Sequence, residues 1–165
     1  MNSIVKNVPP KIGWYLAGFA DGEGSFNVAL RKREDYSLGW KVSLCFNVSQ
    51  KERHILALFK RYLGCGSLRE RKDGIVYYEV NNFNSILSNV IPFFENFNFM
   101  SSKKQKDFSK FKKIAKIMKE GKHLTKDGLI EILTLRKNMN DGGKRDNKYY
   151  KIIRNLPKES SETIR

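Results

Sequence analysis

Asp21 and Glu23 stand two positions apart, each followed by glycine, in the run Tyr15-Leu16-Ala17-Gly18-Phe19-Ala20-Asp21-Gly22-Glu23-Gly24-Ser25-Phe26. They are acids in a chain of the opposite character: 32 lysines and arginines outnumber 17 acids, giving +15 at neutral pH. A carboxylate in such a setting opposes phosphate unless a divalent cation lies between the two. Magnesium fills that position readily, taking one or two carboxylates, waters and phosphate oxygens as ligands. Pro9 and Pro10 suit a helix start, and Ile12, Tyr15, Leu16 and Phe19 recur at helical spacing until Gly22 and Gly24 intervene. The acids therefore face the negative end of the helix dipole, which costs about 0.3–1 kcal/mol at such a position. The plain alternative is that Asp21 merely finishes the helix and Glu23 faces solvent. A calcium loop is excluded, because the spaced Asp/Asn ligands and the closing Glu are missing.

The excess of positive charge makes a polyanion the expected partner. At 165 residues the chain fits one domain with its own core, assigned to residues 1–140, followed by a polar, mobile tail over 141–165. The longest uncharged apolar run, Ile12 to Ala20, is too short to cross a bilayer, and the N-terminus lacks a secretory pattern. The expected setting is intracellular, with no membrane partner. Cys45 and Cys65 show no CxxC spacing and read as reduced thiols, and no zinc motif is present.

From Ser25 the apolar period becomes two. Phe26, Val28 and Leu30 alternate with Asn27, Ala29, Arg31 and Arg33; Val42, Leu44, Phe46 and Val48 alternate with Lys41, Ser43, Cys45, Asn47 and Ser49. This predicts one hairpin with two unlike faces. Ser49-Gln50-Lys51-Glu52 reads as a capping box for a helix ending at Gly64. Ser67–Arg71 and Ile75–Val80 form a second hairpin through Asp73-Gly74, and Asn81 or Asn82 caps a short helix through Leu87 to Val90. After Pro92 comes a short aromatic segment, Phe93 to Phe99. Ser101 or Ser102 opens a helix to Gly121, and Thr125 a last one to about Asn138. The fold class is α+β, in the order αββαββα plus helices, with a four-stranded antiparallel sheet backed by helices.

The polar face of that sheet gathers Asn27, Ala29, Arg31, Arg33, Lys41, Ser43, Asn47, Arg69, Arg71, Tyr77 and Glu79. A β-ribbon fits the major groove of DNA, where Arg binds guanine bidentately and Asn binds adenine. A solvated sheet face is the bland reading, and the global charge weighs against it. RNA readers stack bases on exposed aromatics, and Tyr77 alone stands on this face, which favours duplex DNA. Gly13 and Ala17, and likewise Gly18 and Gly22, stand four apart and offer narrow stripes for another helix, with Asp21 at the end of the same helix. Two copies packed about a two-fold axis would bring two Glu23 carboxylates to one point.

Leu16-Ala17-Gly18-Phe19-Ala20-Asp21-Gly22-Glu23-Gly24 resembles the signature of LAGLIDADG homing endonucleases. The likeness extends to Ser49-Gln50-Lys51, Arg69-Glu70-Arg71 and Lys103-Lys104-Gln105-Lys106. The motif occurs once, which in that family implies a homodimer that cuts both strands of a long, roughly palindromic DNA site. The resemblance implies a curved DNA-binding sheet and dimerisation through the motif helix. It further implies Glu23 and the Gly22 carbonyl as ligands of Mg2+, with Mn2+ or Ca2+ as substitutes, and Gln50 and Lys103 as polar catalytic residues. Lys104 is adjacent and competes with Lys103. The resemblance also implies an organelle or a prokaryotic cytoplasm as the setting. Its alternative is a non-cutting intron maturase, with RNA as partner, or a DNA-binding regulator.

Overall fold

The computed structural model describes residues 7–140, 152–154 and 156. Proline lacks the N–H that a first turn cannot use, and α1 spans Pro10–Glu23 with Gly13, Leu16, Ala17 and Ala20 on its buried side. The backbone then extends without a connecting loop. β1 (Gly24–Lys32) pairs antiparallel with β2 (Trp40–Gln50), from Gly24↔Val48 to Lys32↔Trp40. α2 (Arg53–Leu63) ends at Gly64, whose φ of 65° lies in the left-handed region that a Cβ disfavours. β3 (Ser67–Glu70) and β4 (Val76–Val80) form the second hairpin, and β4 docks on β2 to give the order β1-β2-β4-β3. α3 (Phe83–Ser85), a π-helical turn (Ile86–Val90) and α4 (Ile91–Asn96) follow one another directly. α5 (Ser102–Lys119), a 3-10 turn (Lys122–Leu124) and α6 (Lys126–Lys137) complete the described order.

Alternation along the strands separates the two faces of the sheet. Phe26, Val28, Leu30, Leu44, Phe46, Val48, Tyr78 and Val80 all turn to the helices and are buried. Phe26 is the hub: the rings of Phe46, Phe94, Phe99, Phe108 and Phe111 surround it with centroids 4.9–5.7 Å away. Such contacts add to area burial and fix how the helices seat on the sheet. On the opposite face the strand side chains are half-buried or exposed.

The expected α+β class, its two hairpins and their order are borne out; several boundaries differ. Ser49 and Gln50 belong to β2, and α2 starts behind Glu52 without a side-chain cap, so the capping box does not form. Ladder pairing of Ser49 with Tyr77 and Gln50 with Val76 wins over the local cap. Pro92 does not end its helix. The Ile91 amide reaches back to Ile86 in the π turn, and Pro92 falls in the first turn of α4, where its missing N–H does no harm. Within the expected polar tail, Ile152 and Leu156 are buried in the core, so a mobile tail is not found at those positions; the rest of 141–165 lies outside the described residues.

Gly13 sits against the buried Phe97 ring, and a Cβ there would come within 2.2 Å of the ring tip. Ala17 is buried beside it at 1 % exposure. The Gly13–Ala17 stripe, expected to meet a partner, is closed by the chain's own core. Gly13→Val is expected to lower stability by about 1–3 kcal/mol, seen as a lower urea midpoint with an unchanged m-value.

Candidate active site and nucleic-acid interface

Glu23 is the last residue of α1 and leads straight into β1, so its carboxylate is exposed at the corner where helix becomes sheet. The register pairing Gly24 with Val48 brings Gln50, the end of β2, to the same corner. Gln50 is half-buried and accepts the Lys51 N–H on its Oε1 at 2.8 Å, leaving its NH2 group for another partner. The closing carbonyls of a helix have no intrahelical donor, so the Gly22 carbonyl is available next to Glu23. An exposed carboxylate and a backbone carbonyl are hard oxygen donors, which fits magnesium, manganese or calcium. No group of three or more His, Cys, Asp or Glu side chains that could hold a metal occurs among the described residues. One copy therefore supplies one exposed carboxylate, and the remaining ligands must come from water, phosphate or a second copy.

Asp21 is engaged elsewhere. Its Oδ2 accepts the N–H groups of Met100 at 3.0 Å and Ser101 at 2.8 Å, and its Oδ1 accepts the Ser101 hydroxyl. Burial alone would raise its pKa, but the Ser101 and Met100 hydrogen bonds and the Lys104 charge outweigh that and hold the carboxyl below the usual range. Ser101 is also the N-cap of α5, so Asp21 lies at the negative end of α1 and the positive end of α5 at once. The second environment removes the local penalty that the first imposes.

That contact aims a lysine. Lys104, in the first turn of α5, donates its ammonium to the Gly24 carbonyl, one residue beyond Glu23. Burial pushes its pKa below the ordinary lysine range; the charges of Asp21, Asp107 and Glu23 offset part of the drop, and neighbouring Lys103 adds to it. Lys103 is exposed on the next position of the helix. Of the two adjacent lysines expected to compete for this place, Lys104 is the one whose ammonium reaches the Gly24 carbonyl. Asp107, buried one turn further on, accepts the Asn140 N–H at 3.3 Å, while the Asn140 amide donates to the Phe26 carbonyl at 3.0 Å. No sequence signal announced Asn140 or the Asp21–Ser101 contact, because both join segments more than 30 residues apart.

Across the sheet the expected DNA-facing side chains share one open face. Asn27, Ala29, Ser43, Asn47, Tyr77 and Glu79 are half-buried, and Arg31, Arg33, Lys41, Arg69 and Arg71 are exposed. Several arginines are held by neighbours. Arg33 pairs with Asp35 through two bonds of 2.8 Å, Arg69 with Glu79, and Arg71 with the Tyr77 hydroxyl at 2.8 Å and Asp73 at 3.1 Å. Arg31 and Lys41 instead face each other across β1 and β2. Like charges at directly opposed positions are destabilising until an anion lies over them.

The outer side of α1 carries no packed neighbour among the described residues: beyond the helix itself, none of their atoms lies within 4 Å of a Cβ built on Gly18 or Gly22. Trp14 and Tyr15 on the same helix are 50 % and 48 % exposed, and Met100, whose N–H binds Asp21, is 86 % exposed. The Gly18–Gly22 stripe is the one left open.

The sequence profile of the LAGLIDADG endonuclease family matches residues 16–115, from the end of α1 into α5. The chain belongs to the LAGLIDADG endonuclease family. It is 35 % identical over 132 residues to "Probable intron-encoded endonuclease 2" of Neurospora crassa, covering 78 % of this chain and 29 % of the relative. It is 34 % identical over 90 residues to DNA endonuclease I-CvuI of Chlorella vulgaris, covering 52 % and 55 %. Among solved structures, homing endonuclease I-TnaI superposes with a TM-score of 0.78 at 30 % identity, over 91 % of this chain and 99 % of that one. Meganuclease I-SmaMI, solved bound to an uncleaveable DNA, superposes at 0.75 with 37 % identity, over 82 % of this chain and 47 % of that one. The chain spans between 25 % and 38 % of the length of the curated relatives at the head of the comparison. No helix among the described residues is long and apolar enough to cross a membrane.

Because Asp21 is held below the usual carboxylate range, its stabilisation is present above an ordinary Asp pKa and is lost as pH falls through the depressed folded value. Asp21→Asn is expected to be about 1 kcal/mol less stable than the parent at pH 7. The gap should close below about pH 4, measured as the difference in urea midpoints across pH.

Proposed function

We propose that the protein is a site-specific, divalent-metal-dependent DNA endonuclease that acts as a homodimer. The supporting observation is the convergence, at one corner of a basic sheet face, of Glu23, Gln50 and the partly desolvated Lys104. The polyanion that the sheet face attracts would carry its phosphates past that corner.

The duplex lies along β1 and β2, since the rise of about 3.3 Å per strand residue matches the spacing of about 3.4 Å between base pairs. From Glu23 to Arg31 is about 27 Å, so one copy spans about eight base pairs from the cut. Two copies about a two-fold axis then require two inverted half-sites, which makes the target roughly palindromic. The axis runs beside α1. Its open Gly18–Gly22 stripe allows a second backbone to approach closely, and Trp14, Tyr15 and Met100 supply apolar surface that a lone copy leaves in water.

In the reaction, Glu23 and the Gly22 carbonyl would hold the divalent ion. When bound, that ion supplies Lewis-acid stabilisation of charge on the phosphate. Gln50 orients the attacking water through its amide. Lys104 brings a cation to the corner for charge stabilisation on the phosphate. Asp21 takes no part in the chemistry; it keeps α5, and with it Lys104, in place.

With a duplex selected by the parent from a randomised library, Glu23→Gln is expected to lose magnesium-dependent cleavage by about 10²–10³-fold while still binding. Lys104→Ala should lose at least about 10²-fold, and Lys103→Ala less than about tenfold, in single-turnover rates. Equal cutting by Glu23→Gln and parent would refute the ligand role. Gly18→Leu fills the open stripe without touching the core. It is expected to fold, as judged by circular dichroism, yet sediment as a monomer and cut no duplex on both strands.

A further inference from the structure

The open face of β1 and β2 is not uniformly charged. Asn27 stands opposite Cys45 across the strands, and Ala29 opposite Ser43. Ala29, Ser43 and Cys45 line the floor of an open recess of about 510 Å³ whose walls include Arg31, Lys41 and Arg69. Carrying the β2–β4 register one step past Phe46↔Val80 places Asn81 on the far side of Cys45, and Asn81 lines the same recess. A methyl and a thiol thus lie between carboxamides, in a recess whose rim carries several cations and one acid, Glu79, paired with Arg69.

Desolvation is the main influence on Cys45 and raises its pKa; the Asn47 amide 3.8 Å from its sulfur works the other way, and the Glu79 charge adds to the rise. The thiol is neutral at physiological pH and acts as a small hydrophobe. Phosphate gains nothing from such a floor. In the major groove the apolar feature is the thymine C5 methyl, and the adenine paired with it shows an N7 acceptor and an N6 donor that a carboxamide matches with two hydrogen bonds. A G·C pair lacks the methyl, and its guanine shows two acceptors, N7 and O6, in place of the acceptor–donor pair.

We propose that Asn27, Cys45 and Ala29 form a reading unit for one A·T pair in each half-site, with the thymine methyl against Cys45 and Ala29 and the adenine edge on Asn27. The inference deepens the endonuclease reading and rests on it. Asn27 and Ala29 lie four and six residues from Glu23 along β1. At the strand rise this is about 13–20 Å, or about four to six base pairs from the scissile phosphate.

The test begins with duplexes selected for cleavage from a randomised library by the parent protein, followed by fluorescence-anisotropy binding to single-position variants. An A·T pair is expected at one position in that window of each half-site. Replacing its thymine by uracil, which removes only the methyl, should weaken binding about fourfold. Cys45→Ser should show a smaller uracil penalty than the parent, the remainder being carried by Ala29. Asn27→Ala should lose about tenfold or more of the preference for adenine at that position alone, whereas Lys41→Ala should weaken all duplexes alike. Selected sites carrying G·C throughout the window, or a uracil penalty undiminished in Cys45→Ser, would overturn the reading unit while leaving the endonuclease intact. Recovery of no cleaved or bound duplex would instead bring down the endonuclease reading, and this inference with it.

Discussion

The hydrogen bonds from Met100 and Ser101 to Asp21 hold the molecule's working corner together. They join the C-terminus of α1 to the N-terminus of α5, two helix ends whose dipoles would each be unsatisfied alone. Because Ser101 is simultaneously the cap of α5, the contact sets where that helix begins and hence which side its first turn presents. Lys104 is carried onto the Gly24 carbonyl as a consequence. An acid that looks out of place on α1 is in place once α5 arrives.

The same junction divides the two acids by task. Asp21, surrounded by donors, is bound inside the chain; Glu23, two residues on, is turned outward and keeps its oxygens for something external. A single exposed carboxylate is a poor cation site by itself. The outer side of α1 supplies the complement: glycines without packed neighbours among the described residues, flanked by exposed Trp14 and Tyr15, are a surface that becomes stable only when covered. On the proposed reading, metal binding and association of two copies would be linked through this one helix.

The sheet face shows a comparable economy. Arg33, Arg69 and Arg71 are each oriented by an acid or a phenol before any ligand arrives, so less side-chain freedom is lost when they meet a partner. Arg31 and Lys41 stand directly opposite one another, a like-charge pair that a bound anion would favour. Between the held and the opposed cations lies the small neutral floor around Cys45. The face combines charge for attraction with a few uncharged groups for discrimination.

Much of this was legible in the residue order. Period-two alternation in Phe26–Leu30 and Val42–Val48, glycines at 64, 74 and 121, and Ser101 and Thr125 as caps are local signals. Local signals decide strands, turns and helix ends because the physics involved spans only a few residues. The family resemblance, not local physics, pointed to Glu23 and Gln50. Tertiary structure alone decided that Ser49 and Gln50 extend a strand rather than cap a helix, since ladder bonds to Tyr77 and Val76 come from a distant hairpin. It brought the ammonium of Lys104 to the Gly24 carbonyl, a choice invisible in the sequence because Lys103 and Lys104 differ by 100° around α5 and not at all in chemistry. It also separated the two small-residue stripes of α1: Phe97, more than 80 positions from Gly13, closes one, while among the described residues nothing beyond the helix itself packs on the other. Sequence specifies which residues share a face; only packing shows which face is already taken.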